Sequence, residues 1–94
     1  MHKITAMRIE IEQPEQAELE EAGVFSWPVW EHEEDKIEWY YDKTEHCYII
    51  EGNATVVSEF DSIIIKPGDY LIFPAGLEVV WDIQTKIRKH YTHE

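Results

Sequence analysis

Glu45 and Cys47 stand two residues apart in a segment, residues 45–51, whose composition favours a β-strand. Side chains two positions apart in a strand point to the same face, so the carboxyl and the thiol are expected about 6–7 Å apart. A carboxyl group among apolar side chains favours its neutral form and suits a general acid or base. A thiol is nucleophilic only as a thiolate, and a lone strand cysteine is more often a small buried hydrophobe. Glu45 is therefore the candidate catalytic residue, and a hydrogen bond to Tyr40 or to the backbone is its structural alternative.

A pocket around Glu45 is expected to receive side chains from several strands. Alternation leaves open whether the last strand contributes residues 87, 89 and 91 or residues 88 and 90, and we favour the first set because Ile87 should be a core residue. Apolar walls with a few converging polar groups are the usual form of a small-molecule site. The predicted ligand pocket around Glu45 comprises Glu38, Tyr40, Cys47, Val79, Trp81, Lys89 and Tyr91.

These side chains must be positioned mainly by β-strands. Residues 7–12 alternate between apolar and charged, which predicts a strand, and residues 14–22 form a short polar stretch that predicts a surface helix. After Gly23, short runs of β-branched and aromatic residues between turn residues predict a β-sandwich or a small barrel. The further predicted strands are 25–30, 37–41, 45–51, 54–57, 63–65, 70–73, 77–83 and 87–91, with a hairpin turn at residues 52–53.

Length and composition indicate one globular domain. The chain has 94 residues, of which 44% are hydrophobic and 30% charged. Eight Lys and Arg against twenty Asp and Glu give a net charge of −12, which opposes binding to nucleic acids and to anionic membranes. The single cysteine, Cys47, excludes an internal disulfide, and the sequence has no apolar run of signal-peptide or membrane-spanning length. The expected location is the cytoplasm.

Two spaced motifs give the chain a resemblance to the cupins. Gly68 is followed by five residues, Pro74, one residue and Gly76, and Glu45 is followed by six residues and Gly52, as in the two cupin signatures. Further segments resemble the small cupins of the DUF861 family, also called Cupin_3. These segments are Trp-Pro-Val-Trp at 27–30, Trp-Tyr-Tyr-Asp at 39–42 and Arg-Lys-His-Tyr at 88–91, so that the resemblance covers residues 24–92.

The resemblance implies an all-β fold, the cupin double-stranded β-helix or jelly-roll barrel, with one short N-terminal helix. It further implies a single domain over residues 1–94. The N-terminal strand and the short helix would occupy residues 1–23, and the barrel would occupy residues 24–94.

Most catalytic cupins hold a divalent metal with three histidines and one glutamate. The positions that the resemblance assigns to the histidines carry Glu38, Tyr40 and Val79 here, so only Glu45 is retained. Manganese, iron, zinc and nickel need several converging N, O or S ligands, and valine supplies none. We therefore expect a degenerate metal site, at which such an ion could bind only through Glu45, Glu38 and Cys47, with Tyr40 or water as a further ligand.

Three functions follow as hypotheses. The first is a module that binds a small molecule in the barrel around Glu45, with a degenerate metal site. The second rests on a distant resemblance to the ureidoglycine aminohydrolases, longer two-cupin manganese proteins, and implies a metal-dependent hydrolase acting on a small nitrogen compound. The third is an interaction module that forms a homodimer through the aromatic residues 25–30.

Overall fold

The computed structural model describes residues 7–94, so residues 1–6 of the predicted N-terminal region lie outside the described residues. Within the described part, no helix is long and apolar enough to cross a membrane. The elements there are β1 (Glu10–Glu12), α1 (Gln16–Glu21), a 3₁₀ helix (Val24–Ser26), β2 (Val29–His32), β3 (Asp35–Tyr40), β4 (Glu45–Ser58), β5 (Ser62–Ile65), β6 (Tyr70–Phe73) and β7 (Glu78–His93).

Two long strands, β4 and β7, form the centre of the fold and pair with each other in antiparallel orientation. The first half of β4 also pairs with β6, which pairs with β1, while the end of β7 pairs with β2. The second half of β4 pairs with β5, and the start of β7 pairs with β3. Because β4 and β7 each serve both groups of strands, they join the two groups around one hydrophobic core, as a jelly-roll barrel requires.

Gly52 lies where β4 changes from one group of strands to the other. The register between β4 and β7 shifts repeatedly between Ile49 and Ala54, and Gly52 has a φ of 93°, which is unfavourable for residues with a side chain. The hairpin predicted at residues 52–53 was wrong, because this glycine forms a bulge that bends one continuous strand. The break predicted between residues 83 and 87 is also absent, since β7 continues through it.

The aromatic segment after α1 differs from its prediction as a strand. Val24–Ser26 form a 3₁₀ helix, in which the Ser26 hydroxyl donates to the carbonyl three residues earlier at 2.6 Å. Strand β2 begins only at Val29, because Pro28 has no N–H to give to a strand ladder. Phe25 is 43% exposed, and the homodimer contact that we expected from this segment stays a prediction.

Helix α1 is shorter than the helix predicted over residues 14–22. The Glu18 side chain accepts a hydrogen bond from the backbone N–H of Glu15, the N-cap residue, so the helix begins at Gln16, two residues after Pro14. Leu19 is the buried residue of α1, so the helix lies on the surface as its polar composition predicted.

Alternate residues of the two central strands fill the core. Cys47 and Ile49 of β4 belong to the same buried cluster as Trp81 and Ile83 of β7. This alternation also buries two charged side chains, Glu45 and Lys89, which is unusual because charged groups are rarely buried without a partner. The two strands thereby bring a carboxylate and an ammonium group to one place inside the barrel.

Candidate functional site

A cavity of about 190 Å³ lies beside β7, between side chains from β2, β3, β4 and β7. Its walls are mostly aromatic, and three polar side chains, Glu45, Lys89 and His93, face it. Drug-sized ligand pockets usually measure about 300–1,000 Å³, so this cavity suits a smaller molecule. The lining residues are Trp30, Ile37, Trp39, Tyr41, Glu45, Trp81, Lys89, Tyr91 and His93.

An ion pair between Lys89 and Glu45 dominates the polar part of the cavity. The Lys89 Nζ lies 2.7 Å from Glu45 Oε2, and the side chains are only 7% and 6% exposed. Removing two charges from water costs several kcal/mol per ion, which a close, hydrogen-bonded pair offsets. The sequence predicted a desolvated carboxyl at Glu45; the structure shows a carboxylate whose charge is balanced by a buried ammonium.

Aromatic rings surround the ammonium group of Lys89. Its Nζ lies 4.8 Å from the ring centroid of Trp81, 5.1 Å from that of Trp30 and 6.0 Å from that of Phe73. The faces of aromatic rings attract cations at such distances, by about 2 kcal/mol when the cation is desolvated. The rings therefore add to the stabilisation that Glu45 gives to the charged form of this lysine.

His93 extends this network from the buried pair toward the solvent. Its Nε2 lies 3.0 Å from Glu45 Oε1, and its side chain is 44% exposed. The predicted last strand, residues 87–91, ends before this histidine, so the predicted pocket does not include it. The alternation that places Lys89 and Tyr91 inward would have found it, since it continues to the next odd position.

Tyr41 forms the wall behind the ion pair. Its ring stacks on Phe73 at a centroid distance of 4.6 Å, and its hydroxyl accepts a hydrogen bond from Trp81 Nε1 at 3.0 Å. Burial raises the pKa of Tyr41 far above its ordinary value, and the nearby Glu45 carboxylate raises it further. The tyrosine is therefore a neutral phenol that holds Trp81 in its orientation toward Lys89.

Cys47 is a core residue. It is fully buried, and burial raises the pKa of its thiol to about 12, an effect that Lys89 opposes and Glu45 reinforces. A thiol that stays protonated near neutral pH is a poor nucleophile and a poor metal ligand. Cys47 and Val79, both predicted for the pocket, pack in the core and are not among the residues that line the cavity.

Comparison with known proteins identifies the family. The model of the EutQ-like cupin domain, Cupin_3, matches residues 19–91. The chain belongs to this family. A search of curated proteins found no significant match for this cupin.

Solved structures agree with the assignment and with the predicted all-β jelly-roll fold. The crystal structure of a DUF861 family protein from Thermotoga maritima is 40% identical, covers 93% of this cupin and 100% of its own chain, and has a TM-score of 0.89. The EutQ protein of Clostridium difficile is 18% identical and covers 69% of this cupin and 52% of its own chain, with a TM-score of 0.63. A putative ethanolamine utilization protein Q from Salmonella typhimurium LT2 is 23% identical and covers 69% of this cupin and 53% of its own chain, with a TM-score of 0.63. At these identities the EutQ proteins support the fold alone.

The orientation predicted for Glu38 and Tyr40 was wrong. Glu38 is exposed and Tyr40 is 57% exposed, whereas Ile37 and Trp39 of the same strand line the cavity. The cause is the turn at residues 42–44, because alternation cannot be counted across a turn from Glu45 back into β3. Cross-strand pairing with inward-facing Val79 and Trp81 sets the orientation of β3 instead.

The residues of this cupin do not fit the metal centre that the fold family implies. Two of the corresponding positions, Glu38 and Tyr40, face outward, and the third is Val79. Among residues 7–94, no three His, Cys, Asp or Glu side chains come together in an arrangement that could hold a metal ion. A cation at Glu45 would also lie next to the Lys89 ammonium, which already neutralises that carboxylate. The metal-dependent hydrolase hypothesis therefore receives no support from the side chains at this site.

Proposed function

We propose that this cupin binds a small, neutral and mostly apolar organic molecule in the cavity beside the Lys89–Glu45 pair, without a metal ion. The observation that carries the proposal is a buried, neutralised ion pair at one side of a cavity with aromatic walls. Trp30, Trp39 and Trp81 offer flat apolar surfaces, and the polar pair offers directional hydrogen bonds to a single polar group of the ligand.

Lys89 is the residue best suited to orient such a ligand. An ammonium group has three N–H donors, and within the described residues its Nζ has one hydrogen-bond acceptor, Glu45 Oε2. A carbonyl or hydroxyl oxygen on a ligand would accept one of the other two. Because Glu45 cancels the charge of Lys89 and the chain carries a net charge of −12, a neutral ligand is favoured over an anionic one.

Trp39 gives a test with a matched control. This tryptophan lines the cavity but is 50% exposed, so replacing it should remove ligand contact without opening the core. In ligand-detected NMR with benzamide as the probe, we expect Trp39→Ala to weaken binding about tenfold, the effect of losing one aromatic contact of about 1.4 kcal/mol.

The control is Trp27→Ala, because Trp27 packs against Tyr70 and is not among the cavity residues. It should leave the affinity for benzamide unchanged. Benzoate, which has the same ring and a negative charge, should bind more weakly than benzamide. Equal loss of affinity in both tryptophan variants, or no binding of benzamide to the wild-type protein, would contradict the proposed function.

A further inference from the structure

An open groove of about 530 Å³ lies on the outer face of the strands β3, β4 and β7. Its floor is apolar, because Val57 of β4 and Val80 of β7 are direct partners in the strand pairing. Tyr40 of β3 also lines the groove and is 57% exposed, and Val57 is 42% exposed. Three apolar side chains on neighbouring strands thus remain at least partly in contact with solvent, and such a contiguous patch is typical of an interaction surface.

Carboxylates border this apolar floor. Glu38 is the strand partner of Val80, Glu78 is the strand partner of Tyr40, and Glu59 follows the end of β4. All three carboxylate side chains are exposed and line the groove. Among the ion pairs that residues 7–94 form, none includes any of these three glutamates. The three carboxylates and the three apolar residues of the floor form what we call the acidic groove.

The carboxylates of the acidic groove are too far apart to share one metal ion. Within the described part of the chain, no three His, Cys, Asp or Glu side chains come together in an arrangement that could hold such an ion. Lys36, on the same face of β3, lies opposite Asp82 of β7, which offsets its charge. The negative charge of the groove therefore suits several separate cationic groups rather than a single ion.

We infer that the acidic groove binds an extended segment of a partner protein in which lysine or arginine residues flank apolar ones. The apolar side chains of that segment cover Val57, Val80 and Tyr40, and its basic side chains reach the carboxylates at the border. An open groove suits an extended segment better than a small molecule, because small-molecule sites enclose most of their ligand.

Charge complementarity selects this occupant over a second copy of the chain. The chain has a net charge of −12, and two copies joined face to face through the groove would bring the carboxylates of both copies together. A basic segment instead gains attraction from the border of the groove and from the charge of the whole chain. The inference does not depend on the proposed function, since none of the six residues of the acidic groove lines the cavity beside the Lys89–Glu45 pair.

Titration of the isotope-labelled protein with a peptide, followed by NMR, tests the inference. The probe is the peptide Lys-Lys-Leu-Val-Lys-Lys with both ends blocked, which places two apolar residues between basic pairs. We expect the backbone amide signals of Val57 and Val80 to shift, and the affinity to fall as the salt concentration rises. The peptide Glu-Glu-Leu-Val-Glu-Glu should not bind, and Lys-Lys-Ser-Ser-Lys-Lys should bind about threefold more weakly because it offers no apolar contact.

Two double variants separate the acidic groove from the charge of the whole chain. The variant with Glu38→Gln and Glu78→Gln should weaken binding of the first peptide about fivefold, the effect of losing two ion pairs at the surface. The matched control is the variant with Glu21→Gln and Glu34→Gln, which changes the net charge equally at two exposed positions outside the groove. It should weaken binding by less than about twofold.

A pair of valine variants tests the apolar floor. Val57 and Val29 are both 42% exposed, and only Val57 lines the groove. Val57→Thr should weaken binding of the peptide with leucine and valine about threefold and leave the peptide with two serines unaffected. Val29→Thr should change neither affinity.

Equal weakening by the two double variants would show non-specific attraction to a negatively charged chain and would overturn the inference. Binding of the acidic peptide as tightly as the basic one would do the same. A wild-type dimer in sedimentation analysis that Val57→Thr dissociates would also overturn it, because a second copy would then occupy the acidic groove.

Discussion

Replacing Lys89 with methionine should destabilise the protein by about 3–5 kcal/mol, because the change leaves the Glu45 carboxylate buried without its cation. Both side chains are less than a tenth exposed and lie 2.7 Å apart, so solvent cannot replace the lost partner. The free energy of unfolding from urea denaturation of the wild type and the variant measures the effect. Glu45→Leu should lower the free energy of unfolding by a similar amount, because it leaves the Lys89 ammonium buried without its carboxylate partner.

The double variant with Glu45→Leu and Lys89→Met separates the interaction from the loss of packing. Removing both charges should restore most of the stability, since apolar side chains in place of a buried ion pair are often neutral or stabilising. The matched control is Arg88→Met. Arg88 is the neighbour of Lys89 on β7, and its ion pair with Glu31 of β2 is exposed. That change should cost about 0–1 kcal/mol. A Lys89→Met variant as stable as Arg88→Met would contradict a buried pair.

The second large effect is expected at Gly52. Gly52 and Gly68 have nearly the same φ, 93° and 94°, so an alanine is strained at both positions. A Cβ at Gly52 would overlap the backbone carbonyl oxygen of Lys86, whereas a Cβ at Gly68 has no atom within 4 Å. We expect Gly68→Ala to cost about 1–3 kcal/mol from backbone strain, and Gly52→Ala to cost more than about 4 kcal/mol. Urea denaturation compares the two directly, and equal losses would show that β4 and β7 do not approach as described.

Much of the fold could be predicted because its signals are local. The turn residues and the β-branched and aromatic runs predicted a β-sandwich or a small barrel, and the resemblance to the cupins specified the jelly-roll barrel. Strand β6 was predicted with its correct bounds, residues 70–73. What could not be predicted was the continuity of β4 and β7. Glycine followed by asparagine is equally compatible with a hairpin turn and with a bulge, and only pairing with a distant strand decides between them.

The candidate site was predictable in part for the same reason. Counting along one strand placed Glu45 in the interior and favoured the inward face of Lys89, and both residues are buried. Their pairing could not be inferred, because it depends on a contact between residues 44 positions apart in the sequence. The orientation of β3 was also beyond reach, because it is set by register with β7 and not by distance from Glu45. His93 was missed only because the last strand was ended too early.

The cavity of this cupin therefore contains a buried ammonium group, that of Lys89. Lys89 places its charge beside Glu45, the one residue that keeps the position of a metal ligand, and aromatic rings enclose that charge. A metal ion and this ammonium would compete for the same carboxylate, which supports the proposed binding of an organic ligand without a metal ion.

The most direct test of this account is a titration of isotope-labelled protein, dialysed against a chelator, with benzamide while the four tryptophan indole N–H signals are recorded by NMR. The account predicts that the signals of Trp30, Trp39 and Trp81 shift as the cavity fills, and that the signal of Trp27 does not. Unchanged indole signals, or shifts that appear only after manganese or zinc is restored, would contradict a metal-free ligand site at this position.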